Sequence, residues 1–136
     1  MNRTAWLALC LALPAAAAQA ASDPADPAML KLASRSGCLT CHHIEATPRG
    51  PDEPLPIGPA WSDVALRYAS NPAAVEQLYR TVLAGSSPYA SHWKGKVTGL
   101  AMPPNAVAIT EADTRTLLAW ILALPQPAAA PAPAKH

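Results

Sequence analysis

Apolar and polar positions along the chain fall into four stretches of helical period, each with its own start and stop signals. The first opens at Asp26-Pro27, a capping residue followed by proline at the first helical position, and runs to about Ser36 before Gly37. The second, 62–69, places Val64, Ala65 and Tyr68 at helical spacing. The third starts with the same cap-and-proline signal at Asn71-Pro72 and ends at Gly85. Its Val75, Leu78, Tyr79 and Val82 share one face. The fourth opens at Thr110, with Asp113 three residues on, and stops at Pro125, with Leu117, Leu118, Ile121 and Leu122 as its buried stripe. No strand alternation and no internal repeat is visible, so the pattern predicts an all-α domain of four helices. Two long irregular runs, 44–59 and 86–108, interrupt it. Loops of that length in a small domain call for something to wrap around.

Composition sharpens this picture. The 136-residue chain contains 16 Pro and no Phe, and much of its apolar content is alanine. Few large side chains are left to bury, and a domain of that size then struggles to offset chain entropy. A large, flat, apolar cofactor would supply the missing core. Residues 1–20 read as a signal peptide: Arg3 gives a positive start, 5–18 is apolar but too short to span a bilayer, and Ala18-Gln19-Ala20 is a cleavage site. Cys10 leaves with this segment, and Leu9 before it is too bulky for a lipoprotein signal. Residues 21–125 are then the folded domain, and 126–136 a Pro/Ala-rich disordered tail. Removing Arg3 from the ten Lys and Arg leaves nine, against nine Asp and Glu. No basic stripe or cluster points to nucleic acid or an anionic membrane, and no membrane insertion follows signal cleavage.

Cys38-Leu39-Thr40-Cys41-His42 carries the chemistry. A C-x-x-C-H run spaces two thiols to add across the two vinyl groups of a haem, and the next residue, an imidazole, then lies under the iron. Two other uses of C-x-x-C compete. A thioredoxin-like motif would sit near a βαβ pattern, which is not visible here. A zinc site would need two further ligands, for which only His43 and His92 are available without a second cysteine pair. Behind an export signal, haem attachment fits best. Met102 is the candidate sixth ligand. It lies in a loop, where helix packing does not require it, and Pro103 and Pro104 stiffen the backbone behind it. His92 is its rival, since imidazole suits iron as well as thioether does. His43 is excluded because adjacent residues cannot both point at one iron.

These features resemble a class I cytochrome c, of the small bacterial group with short loops. The matching stretches are 37–42, Ile57-Gly58-Pro59-Ala60, 62–65 with Tyr68-Ala69, Gly85-Ser86, 102–107, and 117–122 with Trp120. They follow the family's order through most of 28–124. The resemblance implies a cytochrome c fold wrapped around one covalent haem c, axial ligation by His42 and Met102, and one-electron transfer without substrate chemistry. It also implies that the Pro59 carbonyl accepts the His42 ring proton and that Asn105 hydrogen-bonds near the methionine sulfur. Trp93 and Arg80 become candidate propionate partners, Arg80 standing one place off the family's basic position. Residues 45–55 and 89–99 are longer than in compact members. Trp120 has two readings, a core aromatic packed against Leu32 and Leu39, or a residue that tunes the haem edge.

The function expected is a periplasmic carrier that exchanges electrons with redox proteins, its donor and acceptor unspecified. The two insertions would also suit a haem subunit of a periplasmic dehydrogenase. Other classes are a gas- or peroxide-reactive haem protein, which requires Met102 to be displaceable, and a thiol–disulfide protein that uses Cys38 and Cys41 without haem.

Overall fold

The computed structural model describes residues 21–126, so the expected signal peptide, and the tail apart from Gln126, lie outside the described residues. Four helices are present: α1 (Pro27–Arg35), α2 (Trp61–Tyr68), α3 (Ala74–Ala84) and α4 (Glu111–Leu122). A single 3-10 turn, Cys38–Thr40, follows α1, and the described residues contain no strand. The all-α expectation is met.

Local chemistry sets the ends of α1 and the start of α4. At α1, the Asp26 carboxylate accepts from the amides of Ala28 (2.8 Å) and Met29 (3.3 Å), with Pro27 at a position whose missing N–H costs nothing. Gly37, in the left-handed region at φ 75°, stops the helix and turns the chain into the 3-10 turn. At α4, Thr110 Oγ1 accepts from the Asp113 amide at 3.1 Å. The third helix starts later than the cap-and-proline signal suggested. Asn71 caps a tight turn instead, its side chain accepting from the Ala73 amide and its carbonyl from the Ala74 amide, both at 3.0 Å.

α4 is the shared wall, packing against α2, α3 and α1. The core is built from Leu32 and Ala33 of α1, Trp61, Val64, Ala65 and Tyr68 of α2, and Leu117, Trp120 and Ile121 of α4. Trp120 is 6% exposed and meets Trp61 edge-on, with ring centroids 5.7 Å apart. Its indole N–H donates to the Asp23 carbonyl at 2.9 Å, and the Ser22 amide donates to the Ala123 carbonyl at 2.7 Å. The two ends of the domain are therefore fastened at one place. α3 departs from its predicted apolar face: only Ala74 is buried, and Val75 is exposed. Leu78 and Val82 line a cleft between α3, α4 and the two long loops.

Candidate functional site

That cleft has a volume of about 350 Å³, within the range of roughly 300–1,000 Å³ usual for ligand sites. Cys38 and Cys41 are half-buried free thiols that both line it. The 3-10 turn explains why. The amides of Cys41 and His42 both donate to the Cys38 carbonyl, at 3.2 and 3.1 Å, winding the two cysteines onto one side. Burial pushes the Cys38 thiol above its ordinary value.

His42 is held from three sides. Its Nδ1 lies 2.8 Å from the Pro59 carbonyl oxygen, which can only accept, so Nδ1 carries the proton and Nε2 keeps its lone pair. The Trp61 ring stacks on the imidazole at 5.8 Å with a 24° interplanar angle. Gly58 passes so close that a Cβ there would fall 2.9 Å from both His42 Cε1 and the Cys41 carbonyl oxygen. Burial lowers the imidazole pKa, partly opposed by the Pro59 carbonyl. The result is an oriented, neutral imidazole with one free nitrogen, the form that binds a metal.

Met102 borders the same cleft. Ser86 fixes its backbone reciprocally: Ser86 Oγ accepts from the Met102 amide at 2.8 Å, and the Ser86 amide donates to the Met102 carbonyl at 2.9 Å. Gly85, at φ 83°, makes room, since a Cβ there would lie 2.9 Å from the Met102 carbonyl oxygen. His92 also lines the cleft, but it is exposed. Trp93 lines the cleft half-buried, with the Arg67 guanidinium 5.9 Å from its ring centroid.

Two expected residues stand elsewhere. The Asn105 side chain donates to the Pro103 carbonyl at 2.7 Å, and its backbone amide donates to Val82 at 3.0 Å, so it shapes the turn behind Met102 without lining the cleft. The Arg80 side chain is 75% exposed, pairs with Glu76 at 3.1 Å and lies outside the cleft lining. One position along a helix is a rotation of about 100°, and Thr81, the next residue, takes the cleft-facing place. Trp61, Ser86 and Gly58 were not picked out as site residues in the sequence. The Ile57-Gly58-Pro59 and Gly85-Ser86 pairs were visible, but their partners are distant in sequence.

The donor set is two half-buried thiols, one free imidazole nitrogen and one thioether around a mostly apolar cleft. Among the described residues no group of three or more His, Cys, Asp or Glu gathers to hold a metal by itself. A protein-held zinc would call for such a group, whereas a large apolar macrocycle carrying its own iron fits the chemistry of the walls and donors.

Comparison with known proteins agrees. Residues 30–125 match the family model described as cytochrome c. The chain is 40% identical over 101 residues to cytochrome c-551 of Allochromatium vinosum, covering 74% of this chain and 90% of that protein. It is 33% identical over 122 residues to cytochrome c-552 of Nitrosomonas europaea, covering 90% and 98%. The crystal structure of wild-type Nitrosomonas europaea cytochrome c552 superimposes with a TM-score of 0.52 at 32% identity, covering 68% of this chain and 95% of that one. Cleft, donors, fold and relatives converge: this chain belongs to the cytochrome c family and is a small class I protein of the c-551/c-552 kind.

Proposed function

We propose that the protein is an exported, periplasmic one-electron carrier, with haem c anchored at Cys38 and Cys41 and its iron ligated by His42 and Met102. As a cytochrome c it carries one covalently bound haem c and serves redox partners as an electron carrier, not an enzyme. When bound, that group supplies an iron that changes oxidation state by one electron. The chain's own residues decide how. Pro59 and Trp61 hold the His42 ring by its Nδ1 side and leave Nε2 free, and Ser86 with Gly85 holds the Met102 backbone at the same cleft. With both an imidazole and a thioether as ligands, the iron would have a raised potential and would keep no open position for substrate. Residues 1–20 serve as the export signal, 21–125 as the domain and 126–136 as a tail. No helix among the described residues is long and apolar enough to cross a membrane.

The observation that carries this reading is the tautomer-fixing contact between His42 Nδ1 and Pro59, 2.8 Å, beside the free thiols of Cys41, the preceding residue, and Cys38, one turn back. Its test is Met102→Ala. The haem should stay attached, the potential should fall, and the reduced iron should bind carbon monoxide. If His92→Ala produces those changes and Met102→Ala does not, the ligand is His92. Carbon monoxide uptake by the unaltered protein would instead favour the gas-reactive class.

A further inference from the structure

The two long loops are joined to each other at the cleft edge. The Thr98 amide donates to the Pro56 carbonyl at 2.8 Å, the Thr98 hydroxyl to the same oxygen at 3.3 Å, and the Gly99 amide to the Ile57 carbonyl at 2.9 Å. The next two residues along that strand of chain bind the histidine side. The Gly58 amide donates to the Cys41 carbonyl at 2.8 Å, and the Pro59 carbonyl accepts from His42. Of four consecutive residues, 56–59, the first two therefore bond to the segment leading into Met102 and the last two to the segment carrying His42.

Both crossings demand glycine for space, since neither Gly58 nor Gly99 has a positive φ. A Cβ on Gly99 would sit 2.5 Å from the Ile57 carbonyl oxygen, and one on Gly58 would sit 2.9 Å from the Cys41 carbonyl oxygen. Ordinary contact begins near 3.4 Å, so a methyl at Gly99 requires a backbone displacement of roughly 1 Å. The obstructing atom is main chain, which cannot swing aside as a flexible side chain would. Packed interiors take up such displacements as a whole, without yielding atom by atom.

The geometry points to residues 56–59 as a strap that fixes the two axial-ligand segments relative to each other, with Gly99 as a positioning residue for Met102. Gly99 is three residues from the sulfur-bearing side chain and abuts Ile57; Gly58 follows at once and abuts the His42 ring. The distance between the two ligands is then set by one short piece of backbone, not by the two long loops separately. Gly99 itself touches neither iron nor macrocycle. The inference rests on His42 and Met102 being the ligands.

The test uses the haem-loaded protein. Gly99→Ala should lose most of the red absorption band that marks thioether-bound ferric iron and should lower the potential. It should also raise carbon monoxide uptake by the reduced protein roughly tenfold, the effect of weakening the competing thioether by about 1.4 kcal/mol. Leu100→Ala, one residue on and 80% exposed, should leave all three readings unchanged. Gly99→Ala added to Met102→Ala should raise carbon monoxide uptake no further, because no thioether remains to displace. A wild-type protein without the red band overturns the ligand reading itself. A wild-type band that survives intact in Gly99→Ala overturns the strap alone. Should that variant not fold, amide hydrogen exchange on the unaltered protein decides. The Gly58, Thr98 and Gly99 amides should open together as one unit, and a Gly99 amide exchanging many times faster than Gly58 overturns the proposal.

Discussion

Trp120 offers the sharpest test of how this small core is held. Phe at this position keeps an aromatic ring against Trp61 but removes the indole N–H that reaches the Asp23 carbonyl at 2.9 Å. Loss of that hydrogen bond should cost about 1 kcal/mol. The smaller ring leaves a gap of a methyl group or more among side chains only a few per cent exposed, about another 1 kcal/mol. The sum, about 2 kcal/mol, corresponds to a fall of roughly 10 °C in melting temperature for a domain of this size. Trp120→Ala should cost more, about 3–5 kcal/mol. Guanidinium unfolding of the loaded protein, followed by far-ultraviolet circular dichroism, measures both. A cycle with Trp61→Leu should return a coupling of about 0.5–1.5 kcal/mol, that of an edge-to-face pair. The potential should not move, because Trp120 does not line the cleft. A Trp120→Phe cost under about 0.5 kcal/mol, typical of a surface change, would refute the core role. A shifted potential with stability intact would restore the haem-tuning alternative.

Other expectations concern the site and the chain ends. The haem should remain with the polypeptide through denaturing electrophoresis and acid–organic extraction; Cys38→Ser or Cys41→Ser should leave single attachment or a degraded apoprotein, and release of free haem from the parent would defeat the anchoring scheme. Ala101→Lys or Pro103→Lys, at cleft-lining positions beside Met102, should slow electron transfer to a native partner without altering the spectrum. With charge near balance, raising salt should change that rate only a few-fold, and a collapse would reveal a charged docking patch. Truncation after Pro125 should leave the melting temperature within a few degrees, since the sequence beyond it has no apolar stripe to dock.

What could be read from the sequence follows the range of the interactions. The α1 and α4 starts were legible because Asp26 and Thr110 cap amides two or three residues away. The C-x-x-C-H run was legible because its geometry is completed within five consecutive residues. Arg80 stands off the cleft that Thr81 lines because a one-residue offset on a helix is a large rotation, and spacing alone cannot register it. Asn71 misled because the same side chain caps a turn or a helix equally well. The hold on Met102 by Ser86 spans 16 residues, and the Thr98–Pro56 contact spans 42. No local pattern reports such pairs. Of the α3 stripe only Leu78 and Val82 reach the cleft, while Val75 is exposed, because which part of a helix face finds a partner is a property of the assembled fold.

The fastening of both domain ends at one point bears on how the chain could be rewired. With the Ser22 amide on the Ala123 carbonyl and Asp23 under Trp120, the first and last described turns are neighbours in space. A short Gly/Ser linker could join them directly, and new termini could then be opened within the exposed stretch 47–53. In such a circular permutant the cysteine–histidine run would emerge last from the ribosome instead of first, while every contact of the cleft stayed available. The architecture thus separates the order in which the haem-binding segments are synthesised from the arrangement in which they end up.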